Sequence, residues 1–429
     1  MAVIRRPLEF LPALAQRYGD AAGFRIGPQP IVLASHPDAI RDVLITNARQ
    51  FHKGRGLERA KVLLGEGLLT SEGDFHLRQR RLAQPAFHRA RVTGYGDVMA
   101  SYADRRAQTW RDGSTRDISA EMAAYTLAVV GKTLFDADIE HDAPEIGSAL
   151  SSAIAFFNVT VLPFGEYLMK LPLPAARRFR RGREVLDAMI YRIIAERRAA
   201  SHDRGDLLSM LLLAQDTEGD GGGMSDLQLR DELLTIFLAG HETTANALTW
   251  AFYLLAKHPS VEARLHDELN GLGDSPLGAK DVERLPFTRA VIAETLRLYP
   301  PAWIVGRRAM SEYQLGQFTL PARTIVLMSQ WVVHRDPRWW ADPSAFTPDR
   351  WLPGGSALNP ERPKFSYFPF GAGTRVCIGE QFAWMEATLA LAVFARSWRM
   401  RLAPDQRVVP QPIVTLRAKG GMRMIMHAR

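Results

Sequence analysis

Apolar positions recur every three to four residues along most of the chain, the spacing of helices that bury one face. That spacing predicts helices over residues 8–18, 37–46, from Gly73 toward Phe87, through most of 92–135 with a turn at Asp112-Gly113-Ser114, and over 145–161, 175–200 and 206–214. Further helices are predicted from Pro259 and over 285–298. The longest is expected over 224–257, opened by the capping-box pair Ser225 and Gln228. At about 1.5 Å per residue it would span about 50 Å. Alternating apolar and polar positions between turn residues predict shorter strands. They form a hairpin of 24–26 and 31–33, then single strands at 302–308, 317–320 and 324–327, and two near the C-terminus at 413–417 and 423–426. Residues 47–71 and 216–223 read as loops, the first with one or two short helical turns; Phe51, Leu57, Leu63 and Leu68 in it are candidates for a pocket wall as much as for core. The apolar, proline-punctuated stretch 162–174 reads as a helix–helix connection by default, with a lid or a membrane-touching patch as alternatives.

Composition narrows the class. Of 429 residues 47% are hydrophobic and 23% charged, which is ordinary globular usage. No linker divides the chain, so one domain over 1–429 is expected. One cysteine excludes an intramolecular disulfide framework and fits a reducing compartment. No run of about 18 apolar residues is present, so no transmembrane anchor is expected. The start Met1-Ala2-Val3-Ile4-Arg5-Arg6 is too short and too soon polar for a secretion signal, and the expected location is cytoplasmic. The net charge of +8 comes from scattered arginines without a basic tail or base-reading motif, so nucleic acid is not indicated. A basic docking face for an acidic electron carrier and a plain solvated surface account for the charge equally well.

The chemistry concentrates in five places. Phe370-x-x-Gly373-x-Arg375-x-Cys377-x-Gly379 surrounds the single cysteine with glycines and a cation, just before a run that reads as a helix. A lone cysteine is often a small buried hydrophobe. Here Gly371 and Gly373 permit a tight loop, and helix amides with Arg375 favour a thiolate, the form that ligates metal. The centre of the longest helix reads Phe237-Leu238-Ala239-Gly240-His241-Glu242-Thr243-Thr244, polar groups between strongly apolar flanks. Thr243 can turn its hydroxyl onto a carbonyl one turn back and open the helix locally, while Gly240 admits a close approach. His76 and Arg80, four apart, share a helix face and can grip a carboxylate. Glu294 and Arg297 are neighbours on another helix, and Pro348-Asp349-Arg350-Trp351 follows later. His334 has no partner at metal spacing and reads as structural.

These five motifs, in this order, resemble the cytochrome P450 family across nearly the whole chain. The resemblance implies a mainly α fold with small β-sheets, with haem between the long oxygen-binding helix and the cysteine-loop helix. It implies that Cys377 is the axial ligand of iron in haem b, in a loop that includes Phe370, Gly371 and Gly379. It further implies that Arg375, His76, Arg80 and Arg307 (or Arg308) bind haem propionates, and that Ala239 and Gly240 border the haem. Glu242 and Thr243 would deliver protons during O2 activation. Glu294, Arg297 and Arg350 would form a structural network, although this chain has Asp349 where the family has Glu and Trp351 where it has Phe. Phe237, Leu238, Ala302, Trp303 and Ile304 would line an apolar pocket. The implied activity is hydroxylation or epoxidation of an apolar compound by a monomer. Electrons would pass from NAD(P)H through a separate ferredoxin or flavodoxin with its reductase, because no flavin, nucleotide or iron–sulfur module follows the haem region. A peroxygenase or isomerase, against which Glu242-Thr243 argues, and a haem sensor are the alternatives.

Overall fold

A computed structural model describes residues 2–137, 145–150, 152, 173–200, 204–215 and 222–429. The expectations for 162–172 and for most of the glycine-rich loop at 216–223 lie outside the described residues. Helices dominate. The long helix runs Asp226–Lys257, with both halves of its capping box formed by Ser225 and Gln228. It packs against Ile118–Phe135, Pro286–Leu298 and Glu380–Ser397. Around these lies the main core, which includes Trp250, Phe135, Phe237 and Phe394. The residues of Asp226–Lys257 are buried on nearly all sides, so the helix is a central post whose polar residues must be satisfied from within.

The strands form small sheets at the periphery. A five-stranded sheet has the order Ala21–Ile26, Gln29–Ala34, Ile325–Met328, Val305–Ala309, Phe51–Lys53. Its first pair is the predicted hairpin, with Phe24 opposite Ile31. Gln29–Ala34 and Ile325–Met328 pair in parallel, and the other pairs are antiparallel. Thr115–Asp117, Arg423–Ala428 and Trp398–Leu402 form a second sheet.

Three expectations need correction. Residues 47–71 are not mainly loop: they contain the edge strand Phe51–Lys53 and the helix Arg55–Leu64, which ends where Gly65 takes φ +55°. Of the pocket candidates there, Phe51 and Leu68 are core residues. The strand predicted at 302–308 begins only at Val305, because the Trp303 carbonyl is taken by the Trp331 amide and the Ser329 hydroxyl instead of a neighbouring strand. Residues 413–415 form a bend, and the strand there is Leu416–Ala418.

Candidate active site

The cysteine loop is built by backbone geometry. Gly371 and Gly373 both take φ +71°, the left-handed region that favours glycine. A Cβ on Gly373 would sit 2.1 Å from the Leu44 carbonyl oxygen, so the position has neither the conformation nor the space for a side chain. The Cys377 amide donates to the Phe370 carbonyl at 3.0 Å and closes the loop. His334, fully buried, accepts from the Phe368 amide through Nε2 at 3.0 Å. Burial and the nearby Arg297 hold this imidazole well below its usual range, so it is neutral and acts as the structural pin the sequence suggested. Gly373→Ala is expected to lower haem occupancy at least about tenfold, from strain of order 1–3 kcal/mol plus the clash. Haem absorbance per protein after purification checks this; full occupancy would contradict it.

Cys377 lies just before the helix Glu380–Ser397, and its sulfur is exposed. The residue is exposed, yet the protein groups packed around it desolvate the thiol and push it up to about 11, against the Gly379 amide and Arg80, which favour the anion. A coordinated metal would deprotonate such a thiol outright.

Beside the loop is a cluster of cations. Arg375 donates to the Phe51 carbonyl at 3.0 Å and to Glu72 at 2.5 Å, and its Nε is buried without a partner. Arg80 donates to the Val376 carbonyl at 2.7 Å. Strand alternation separates Arg307 from Arg308. Arg308 pairs with Glu58, while Arg307 is buried, with Arg375 and Glu72 as its charged neighbours, and among the described residues has only the Gly306 carbonyl as a hydrogen-bond acceptor. Burial and Arg375 push Arg307 down to about 10. His76 is pushed to about 4 by burial and by Lys53 and Arg375, and its Nε2 is buried with no partner.

Lys53 was not anticipated. It is buried, donates to the carbonyls of Leu68 and Ser71 at 2.8 and 2.6 Å, and lies 3.4 Å from His76 Nδ1. Burial pushes it down to about 7. Its only sequence signal is a lysine closing a strand whose alternation points it inward. Four cationic residues (Lys53, Arg80, Arg307, Arg375), with Glu72 and, beside Lys53, Glu232 as nearby carboxyl groups, plus unpartnered donors on His76 and Arg375, fit a ligand carrying two carboxylates.

On the long helix, Thr243 donates to the Ala239 carbonyl at 2.7 Å, the back-bond the sequence suggested. The helix nevertheless runs unbroken, so the expected local opening is absent. Ala239 is exposed and Leu238 and Gly240 half-buried, within a helix otherwise mostly buried. The close approach at Gly240 is made by Val130, whose Cγ2 would lie 3.1 Å from an added Cβ. On that side the glycine allows close helix packing. Thr126 from the neighbouring helix donates to the His241 carbonyl at 2.9 Å, a tie the sequence did not reveal. Glu242 turns away from Thr243's bond and accepts from Thr415 at 2.6 Å. Two of the expected pocket residues are buried. Phe237 is buried in the core, its ring 6.0 Å from Phe135, and Trp303 packs with Leu11 and Leu33 while donating to the Ile413 carbonyl. Leu238, Ala302 and Ile304 are half-buried and remain available to a ligand.

The third constellation is the buried ion network. Arg297 grips Glu294 with two bonds, Nε to Oε2 at 2.8 Å and Nη2 to Oε1 at 2.7 Å. Arg350 reaches Oε1 at 3.3 Å, and the Trp351 indole donates to Oε2 at 2.9 Å. Trp351 thus adds a bond that phenylalanine could not make. Asp349 points outward and pairs with Arg264 at 2.6 and 2.8 Å.

Residues 3–422 match the Cytochrome P450 family model. The chain belongs to the cytochrome P450 family. Among relatives of this cytochrome P450, cyclooctatin synthase of Streptomyces melanosporofaciens is 43% identical over 435 residues, covering 100% of this chain and 93% of the relative. Cyclooctat-9-en-7-ol 5-monooxygenase of the same organism is 40% identical, covering 94% and 87%. Pentalenene oxygenase of Streptomyces avermitilis is 37% identical, covering 100% and 94%. The solved structure of retinoic acid-bound cyanobacterial CYP120A1 superposes with a TM-score of 0.89 at 26% identity, over 100% of this chain and 96% of that one. The protein is a P450 monooxygenase, an oxidoreductase class that uses haem and O2 with reductase-derived electrons. Among the described residues no helix is long and apolar enough to cross a membrane.

Proposed function

We propose that this P450 hydroxylates or epoxidises a cyclic terpene hydrocarbon or alcohol, with Cys377 as the ligand of haem b. The observation that carries the site assignment is the pairing of an accessible cysteine in a glycine-shaped loop with a buried cation cluster holding unpartnered donors. The terpene assignment draws on relatives whose names specify cyclooctat-9-en-7-ol and pentalenene, and on the apolar Leu238, Ala239, Ala302 and Ile304.

His76, Arg80, Arg307 and Arg375, together with Lys53, neutralise the two haem carboxylates and fix the macrocycle's orientation. Haem bound through a thiolate supplies O2 activation and transfer of one oxygen atom to a C–H or C=C bond; electron donation from sulfur favours O–O cleavage. The second oxygen leaves as water, which requires two electrons and two protons. Glu242 moves the protons in from solvent. Thr243, whose hydroxyl now donates to the Ala239 carbonyl, would supply a hydrogen-bonding hydroxyl for proton delivery once haem is bound. The apolar residues Leu238, Ala239, Ala302 and Ile304 would help exclude bulk water from the site. Electrons come from NAD(P)H through a ferredoxin or flavodoxin and its reductase, with the basic surface as docking ground, in the cytoplasm and with the enzyme as a monomer.

The test is reconstitution with a ferredoxin and its reductase, a cyclic terpene, and isotopically labelled O2. One labelled oxygen per product is expected. Thr243→Ala keeps haem and still consumes NAD(P)H, but product per NAD(P)H falls about tenfold or more while peroxide rises, as expected from the usual size of a general acid–base contribution. No oxygenated terpene removes the substrate class; unchanged coupling in Thr243→Ala removes the proton role.

A further inference from the structure

The bend before the strand Leu416–Ala418 is fastened to the long helix. The Trp250 indole donates to the Leu416 carbonyl at 2.9 Å, the Leu416 amide to the Pro301 carbonyl at 2.9 Å, and the Trp303 indole to the Ile413 carbonyl at 3.1 Å. These bonds lay Thr415 and Arg417 over one turn of that helix. Asn246 and Glu242, four residues apart, share the face beneath them. The Asn246 amide donates to the Thr415 hydroxyl oxygen at 3.1 Å, and that hydroxyl donates to Glu242 Oε1 at 2.6 Å. Arg417 Nη2 stands 3.5 Å from the same Oε1. Glu242 Oε2 accepts no hydrogen bond among the described residues and is not one of the buried unpartnered atoms.

We propose that Thr415 and Arg417 are positioning residues for Glu242: they hold Oε1 as a handle and leave Oε2 as the oxygen that takes up and releases the proton. The inference rests on the proton-carrying role given to Glu242 above. A hydroxyl has one proton, and with Asn246 donating into its lone pair the Thr415 proton is committed to Glu242. Arg417 cannot supply a proton, because a guanidinium does not deprotonate in proteins. Both groups therefore orient the carboxylate and neither feeds the relay. The Thr415 hydrogen bond and the Arg417 ion pair meet on one oxygen and together restrict rotation of the glutamate side chain. The working oxygen is thus fixed before oxygen activation begins, so no reorientation delays the proton. The handle comes from a segment 173 residues away in sequence, next to the bend whose Ile413 carbonyl holds Trp303.

The experiment uses the full haem-loaded chain with its substrate and redox partners. Glu242→Gln, Thr415→Val, Thr415→Ser and Arg417→Gln are compared by haem content, substrate-induced spectral shift, peroxide per NAD(P)H and solvent isotope effect on product formation. Thr415→Val and Arg417→Gln are expected to keep haem and substrate affinity, raise peroxide per NAD(P)H about three- to tenfold and increase the solvent isotope effect; Thr415→Ser restores both. If Glu242→Gln uncouples but Thr415→Val and Arg417→Gln do not, the positioning role is overturned while the relay stands. If Glu242→Gln leaves coupling intact, the relay itself fails and the positioning role with it. If Thr415→Ser uncouples as much as Thr415→Val and both weaken substrate binding, the bend is only a wall of the pocket and the proposal is overturned.

Discussion

Cys377→Ala abolishes the strongly red-shifted Soret band of the reduced, CO-bound protein and cuts monooxygenation at least about 10³-fold, about 4 kcal/mol at 1.36 kcal/mol per tenfold. The fold bears little of this loss. Among the described residues the thiol's one hydrogen bond is from the Gly379 amide, and the loop is closed instead by the Cys377 amide on Phe370 and by two glycines at positive φ. A neutral hydrogen bond contributes about 1 kcal/mol. The denaturation midpoint of the haem-free chain should therefore move little. The spectrum with CO separates the outcomes: a retained red-shifted band would assign the iron ligand elsewhere. A large fall in the haem-free midpoint would make the cysteine structural.

The second large effect is on stability. Arg297→Ala leaves Glu294 buried, with only Arg350, Trp351 and the Thr347 amide to satisfy it. It also strips donors from the carbonyls of His334, Pro343 and Ala345, which Arg297 now bonds at 2.9, 2.7 and 2.8 Å. Both partners are fully buried. Breaking such a pair costs about 3–5 kcal/mol, against a total stability of about 5–15 kcal/mol. Little folded haem protein is expected from Arg297→Ala. Arg297→Lys keeps the charge but cannot reproduce the two-pronged bond or reach three carbonyls at once, so its urea midpoint should also fall. The same residue stacks over Trp340 at 5.1 Å, which lysine would do less well. An unchanged midpoint in Arg297→Lys would show that the network is dispensable for folding.

The sequence by itself determined whatever depends on local spacing. Helical periodicity and the Ser225–Gln228 box marked the long helix, because capping and amphipathic period act within a few residues. Gly371 and Gly373 marked the cysteine loop, because only glycine adopts its backbone freely. The order of five motifs marked the family. Only the tertiary structure decided the rest. The motif favours Arg307, with Arg308 as the fallback; strand register turns Arg307 to the cation cluster and Arg308 to Glu58. Phe237 and Trp303 are as apolar as their neighbours, but which face of a helix or bend meets a partner depends on packing, and both turned inward. Lys53 carried no motif, and its buried position follows from pairing with a strand some 250 residues on, Lys53 opposite Arg307. Cys377 stands in a loop whose Gly379 amide and Arg80 favour a thiolate, while the groups packed around it oppose one, and that opposition depends on packing the chain order does not show. Glu242 looks solitary until a bend 173 residues later brings Thr415 and Arg417 to it. Charge and hydrogen bonding act through space, so the elements that complete this site are those the chain order keeps far apart.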